Sequence, residues 1–208
     1  MTRLVSALLF ALLFAPLLAG GLGLPAWAQP AAAPPSPVQA AFHDVLLKYD
    51  ALADAETDLG RLRALEIERS RELARVLGEG LPFDRWRLVL SATEATPMGG
   101  LFLRLHDAVP DAPRSLRATY WNSGPGPIMR QAEISPKSPL HGPVALIKRG
   151  RLVFVSGSFF PDATGGPFYE SARTSGQELL VERARFRMPY FSIRIVALDE
   201  LFPDRRAP

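Results

Sequence analysis

The stretch VERARFRMPYFSIRI, residues 181–195, decides how the C-terminal part of this chain is read. Arg183, Arg185 and Arg187 alternate with Ala184, Phe186 and Met188, and a period of two puts basic and apolar side chains on opposite faces of a strand. Pro189 follows, a residue that fits a turn, a bulge or a sheet edge. Tyr190 to Leu198 then resume the alternation. The expectation is two strands meeting at Pro189, with Arg194 of the second joining the first three arginines on one outer face. Four guanidinium groups arranged so form an anion platform for phosphorylated lipid headgroups, acidic polysaccharide or an acidic protein segment. As plain structure, the same charges protect a sheet edge.

The strand pattern extends back to Asp84. Residues 85–92, 101–106, 115–121, 128–134, 143–147, 151–160, 179–188 and 190–198 are short, partly alternating segments separated by turn residues. Such spacing predicts an antiparallel sandwich or open barrel. Arg149-Gly150 is the tightest predicted hairpin turn.

Upstream of Asp84 the period changes. Val38, Phe42, Val45, Tyr49, Leu52, Leu59, Leu62, Leu65, Leu73 and Val76 recur at steps of three, four or seven, an apolar stripe on a helix. Gly78, Gly80 and Pro82 end it. One continuous helix over residues 38–80, roughly 60 Å long, is favoured over a hairpin broken at Gly60. The chain is therefore expected to be α+β: a long N-terminal amphipathic helix, then an antiparallel, mostly β domain over 81–208. The stripe over 38–77 would pack on the sheet or pair two copies as a coiled coil. Residues 38–80 carry nine acids and six bases, and 81–208 carry twelve and seventeen. Either the two parts fold onto each other or each faces a different partner.

Residues 1–28 have the pattern of a secretory signal: Arg3, an apolar run from Leu4 to Leu18, and a small-x-small site at Ala26-Trp27-Ala28. Cleavage near Ala28–Gln29 would deliver the chain to the periplasm or the exterior, and the Pro/Ala-rich 29–37 would act as a linker. The chain has no cysteine, so its stability has to come from burial even where disulfides could form. No later apolar run reaches the roughly 20 residues of a membrane-spanning helix. A net charge of +3 is too small to imply a nucleic-acid partner.

Catalytic patterns are sparse. The glycine-proline stretch SGPGP (123–127) lacks two N–H donors at Pro125 and Pro127, so it reads as a rigid strand connection and not as a phosphate cradle. At most it forms a stiff rim for Trp121, Asn122 or Arg130. His106, Asp107 and His141 could supply a metal or an acid–base pair, yet they lack metal-ligand spacing and nothing in the sequence brings them together. His43, within the charged helix, reads as solvated. There is no nucleophile-elbow or Ser-x-x-Lys pattern. The loop 161–171 could close over a site as a mobile lid. Neither a cofactor nor a metal is implied.

The leading expectation is an exported, non-catalytic envelope protein that binds a protein partner or an anionic ligand through its strand-rich domain. Arg183, Arg185, Arg187 and Arg194 are its candidate ligand-binding residues. One alternative is a β-barrel or sandwich whose small-ligand pocket is lined by Trp86, Phe102, Tyr120, Phe154 and Phe186. Another is an enzyme using His106, Asp107 and His141.

Overall fold

The computed structural model describes residues 34–108, 116–124, 127–171 and 178–200. The signal and most of the linker expected over 1–37 lie outside these residues. The N-terminal segment is helical but in two pieces, α1 (Pro37–Ala55) and α2 (Leu59–Leu77). The single long helix is thus corrected to a hairpin, and its break falls at 56–58 instead of Gly60. Glu56 Oε1 accepts from the N–H groups of Thr57 and Asp58 at 2.8 and 2.9 Å, stopping α1. Asp58 then caps α2 by accepting from the Arg61 N–H at 2.7 Å, which supplies an acceptor to an otherwise unpaired helix donor. Across the hairpin, Lys48 Nζ and Tyr49 OH both donate to Glu72 Oε2, at 2.6 and 3.0 Å.

Among the described residues six strands follow: β1 (Pro82–Ala95), β2 (Leu101–Asp107), β3 (Thr119–Trp121), β4 (Leu152–Phe159), β5 (Tyr169–Ser171) and β6 (Pro189–Glu200). Their order is β3-β2-β1-β4-β6-β5, and β3 also pairs with β6, with Tyr120 opposite Phe191. Five strands therefore close into a barrel, and β5 adds to β6. The β3–β6 pair is parallel and the others antiparallel, so the sheet is mixed and closed where an antiparallel sandwich or open barrel was expected.

Three segments read as strands are helices: α3 (Pro127–Ala132), α4 (His141–Leu146) and α5 (Glu178–Arg187). Pro127 and Pro143 lie in first turns, where a missing N–H is harmless. The α5 sequence ELLVERARFR is rich in helix formers, and this preference outweighs its short period-two pattern. Pro189 opens β6 instead of joining two strands. The turn at Arg149-Gly150 is present, with Gly150 left-handed at φ 85°, but it leads from α4 into β4.

The barrel interior is filled. Trp86, Leu88, Leu90, Leu103, Leu105, Val153, Val155 and Ile193 are fully buried. Phe42 of α1 enters among the rings of Trp86, Tyr120, Phe159 and Phe191, with centroids 4.9 to 6.5 Å away. Burying such a ring contributes about 1.5–3 kcal/mol. Phe42, Val45, Tyr49, Leu62, Leu65 and Leu73 of the apolar stripe belong to the same core as the barrel, while Val38 and Leu52 of that stripe are 42% and 45% exposed.

Candidate functional site

One end of the barrel carries a buried polar knot. Asp107 ends β2 in the inward register of Leu101, Leu103 and Leu105, opposite Leu88 of β1. His43, next to the inserted Phe42 on α1, donates from Nε2 to Asp107 Oδ1 at 2.7 Å, and the two side chains are only 12% and 13% exposed. His43 is therefore paired and largely buried, not solvated. Gln39, one turn earlier, accepts from the Arg87 N–H at 3.0 Å and donates to the Arg87 carbonyl at 3.1 Å, and Arg87 Nη2 reaches the Ala108 carbonyl. Burial first, and then the nearby Asp107 carboxylate, hold the Tyr120 phenol well above its usual ionisation range. Although Asp107 is close enough to act on that ionisation, the Tyr120 hydroxyl meets it with no hydrogen-bond geometry. Together with Trp86 Nε1 it is without a bonded partner among the described residues. A His–carboxylate pair can hold or move a proton, but these groups chiefly fasten α1 across the barrel.

The candidate trio His106, Asp107 and His141 is bonded to three different partners. Asp107 takes His43, not His106. His106 faces outward on β2, where Nδ1 shares a hydrogen bond with Thr119 Oγ1 at 3.1 Å and burial lowers its basicity. His141 opens α4 and donates to the Gly99 carbonyl at 2.8 Å. Among the described residues no three His, Asp or Glu side chains form a group able to hold a metal ion.

The arginine row is on a helix, not on a strand face. Arg183 bonds the Glu56 carbonyl, Arg185 Nη1 meets Glu66 at 3.3 Å, and Arg187 reaches Asp54 and, at 3.7 Å, Asp50. All these partners lie on the helical hairpin, so the opposite charges seen in the sequence meet inside one molecule. Phe186 is buried, with the guanidinium of the fully buried Arg69 of α2 stacked 4.5 Å from its ring. Arg194 lies on β6, donating to Gln131 of α3 at 3.0 Å and standing over Phe160. The four arginines do not form one outer face.

The five aromatics expected around a ligand pocket are dispersed as well. Trp86 and Tyr120 are in the packed interior, Phe102 meets Trp121, Phe154 lies under Arg85 and Phe186 under Arg69. Asn122 is structural: buried, it accepts from the Leu103 N–H and donates to the carbonyls of Leu101 and Ala132. The connection through SGPGP is followed by α3, not by a strand.

The loop after β4, which could have served as a mobile lid, is tied to α2. Asp162 accepts from Ser70 Oγ, Thr164 N and Oγ1, and Gly166 N at 2.7 to 3.1 Å. Beside it is a cleft of about 240 Å³ lined by Glu66, Ile67, Ser70, Asp162, Thr164 and Phe168. Its hydroxyls and the Asp162 carboxylate are bonded mainly to one another.

The opposite situation holds at the β1–β2 turn, Thr96-Pro97-Met98-Gly99-Gly100. Pro97 presets the backbone and Gly99 is left-handed at φ 80°, as a type I turn closed by a glycine requires. Thr96 pairs its N–H with the Gly100 carbonyl and its carbonyl with the Gly99 N–H, while its hydroxyl accepts from the Gly100 N–H. That hydroxyl also donates to Glu133 at 2.7 Å. The insert between β3 and β4 braces the turn through the Leu101–Ile134 bridge and His141. At the apex, Met98 is 86% exposed, and Leu146 at the far end of α4 is 82% exposed. Apolar periodicity carries no sign of this end, although TPMGG has the composition of a tight turn. Neither a family model, nor a curated protein, nor a solved structure matches the chain.

Proposed function

We propose that the chain is an exported, non-catalytic protein of the cell envelope that binds its partner through one end of the strand-rich domain, formed by the Thr96–Gly100 turn and the insert bearing α3 and α4. The observation that carries this reading is Met98: a large apolar side chain held in solvent on a turn whose Thr96, Gly99 and Gly100 are hydrogen-bonded to one another. Isolated exposed apolar residues are ordinary, but one on a braced apex, with a second such residue at Leu146, has the character of a binding surface. The secretory pattern of residues 1–28 supports the location. The non-catalytic reading is supported by the dispersal of His106 and His141, and the packed interior favours it over a ligand-holding barrel.

A photo-crosslinking amino acid at position 98 tests the reading in living cells, with position 79 as the control, since Glu79 is exposed on the turn after α2. The expected result is specific adducts from 98 and none from 79. Adducts at neither position, or equal adducts at both, would contradict it.

A further inference from the structure

We propose that the partner of this end is the surface of an anionic phospholipid bilayer; the inference rests on the binding reading above and names its occupant. Residues 127–150 carry four bases, Arg130, Lys137, Lys148 and Arg149, against a single acid, Glu133. The excess of three charges equals that of the whole chain, so the remainder of the sequence is balanced. Glu133 is bound to the Thr96 hydroxyl and only partly exposed, whereas all four bases are exposed. Met98 caps the turn, Leu146 lies on α4 of the insert, and Met129 on α3 is 45% exposed.

Pro136, adjacent to Lys137, lies where a β-carbon on Gly99 would touch it, and Gly99 neighbours Met98; Gly150, which follows Lys148 and Arg149, donates its N–H to the Leu90 carbonyl further back on β1. His141 anchors the first residue of α4 to Gly99, and Leu146 is about 7.5 Å further along that helix at 1.5 Å per residue. Exposed apolar side chains on the turn and insert, together with an excess of exposed lysine and arginine on that insert, suit a bilayer interface. The tips enter the boundary between headgroups and acyl chains, and the bases attract phosphate. A protein groove would have to match each tip in position, but a fluid interface accepts them at their existing spacing. The backbone is ordered beforehand by the turn and by Pro136, Pro139 and Pro143, so little entropy is lost on docking.

The experiment uses a local reporter, so that the leader cannot produce the signal. Because the chain has no cysteine, Met98→Cys, Leu146→Cys and Glu79→Cys each allow one environment-sensitive nitrobenzoxadiazole label on the full chain. Vesicles containing phosphatidylglycerol should brighten and blue-shift the label at 98 and at 146, and not at 79. Pure phosphatidylcholine vesicles should do neither. Lys137→Glu with Arg149→Glu should weaken the response at 98 on the order of tenfold or more, with circular dichroism confirming the fold. No response to anionic vesicles at either site, an equal response to neutral ones, or a response undiminished by the charge reversals overturns the inference. Failure with vesicles while position 98 still crosslinks to a protein removes the membrane inference and leaves the binding reading intact. Failure of both removes both.

Discussion

The side-chain amide of Gln39 takes both backbone hydrogen bonds of Arg87, accepting at 3.0 Å and donating at 3.1 Å. Arg87 lies just beyond the stretch of β1 that pairs with β2, so a helix side chain continues the ladder where the strand stops. Gln39→Leu should leave an N–H and a carbonyl buried without partners, at about 1–3 kcal/mol each. Gln39→Glu sets a fully buried carboxylate against the Arg87 carbonyl and should lose at least as much at neutral pH. Urea unfolding followed by tryptophan emission measures both, and equal stability of wild type and Gln39→Leu would contradict the clamp.

His43 and Asp107 make the second tie between α1 and the barrel. Removing either partner alone leaves a buried polar group unsatisfied, whereas removing both does not. Asp107→Leu and His43→Leu should therefore each cost about 1–3 kcal/mol, and the double variant should be more stable than the sum of the single losses implies. Strict additivity in a double-mutant cycle would show that the two side chains do not interact in solution.

Arg187 and Asp54 connect α5 to the hairpin, but both are about half exposed. Their coupling should be below about 1 kcal/mol and should fade as salt is raised. Arg187→Glu should lower the melting temperature slightly, and adding Asp54→Arg should restore part of the loss. No restoration at low salt would mean that α5 does not lie against the hairpin as described.

Tyr49 gives the fold an alkaline limit. Burial, and then its hydrogen bond to Glu72, push its phenol up to about 12, above the unfolded value near 10. The neutral phenol is therefore favoured by folding. This stabilisation is complete below pH 10 and lost as pH climbs from 10 through 12. Melting temperatures across that window should fall, and fall less steeply in Tyr49→Phe. Parallel profiles would contradict the assignment.

Much of the barrel was legible in the sequence because β1, β2, β4 and β6 are long enough for alternation to persist, as in Leu101, Leu103 and Leu105. The hairpin helices were legible from their apolar stripe. Their break was not, because Gly60 is a louder signal than a Glu56 and Asp58 that act only through hydrogen bonds. In α5 the alternation of Arg183, Ala184, Arg185, Phe186 and Arg187 imitates a strand over five residues. Arg183 and Arg187 in fact stand one helical turn apart and reach the same hairpin. The His43–Asp107 pair joins residues 64 positions apart, and no local pattern announces such a contact. The exposed turn was missed because solvent exposure depends on what the rest of the chain fails to cover.

The central claim, that the Met98 and Leu146 end is occupied in the cell, is tested most directly by thiol protection. Met98→Cys, Leu146→Cys and Glu79→Cys should all react rapidly with a maleimide in the purified protein. In the intact envelope, positions 98 and 146 should be protected severalfold while 79 reacts as before. Reaction at 98 and 146 as fast in the envelope as in solution would contradict the account.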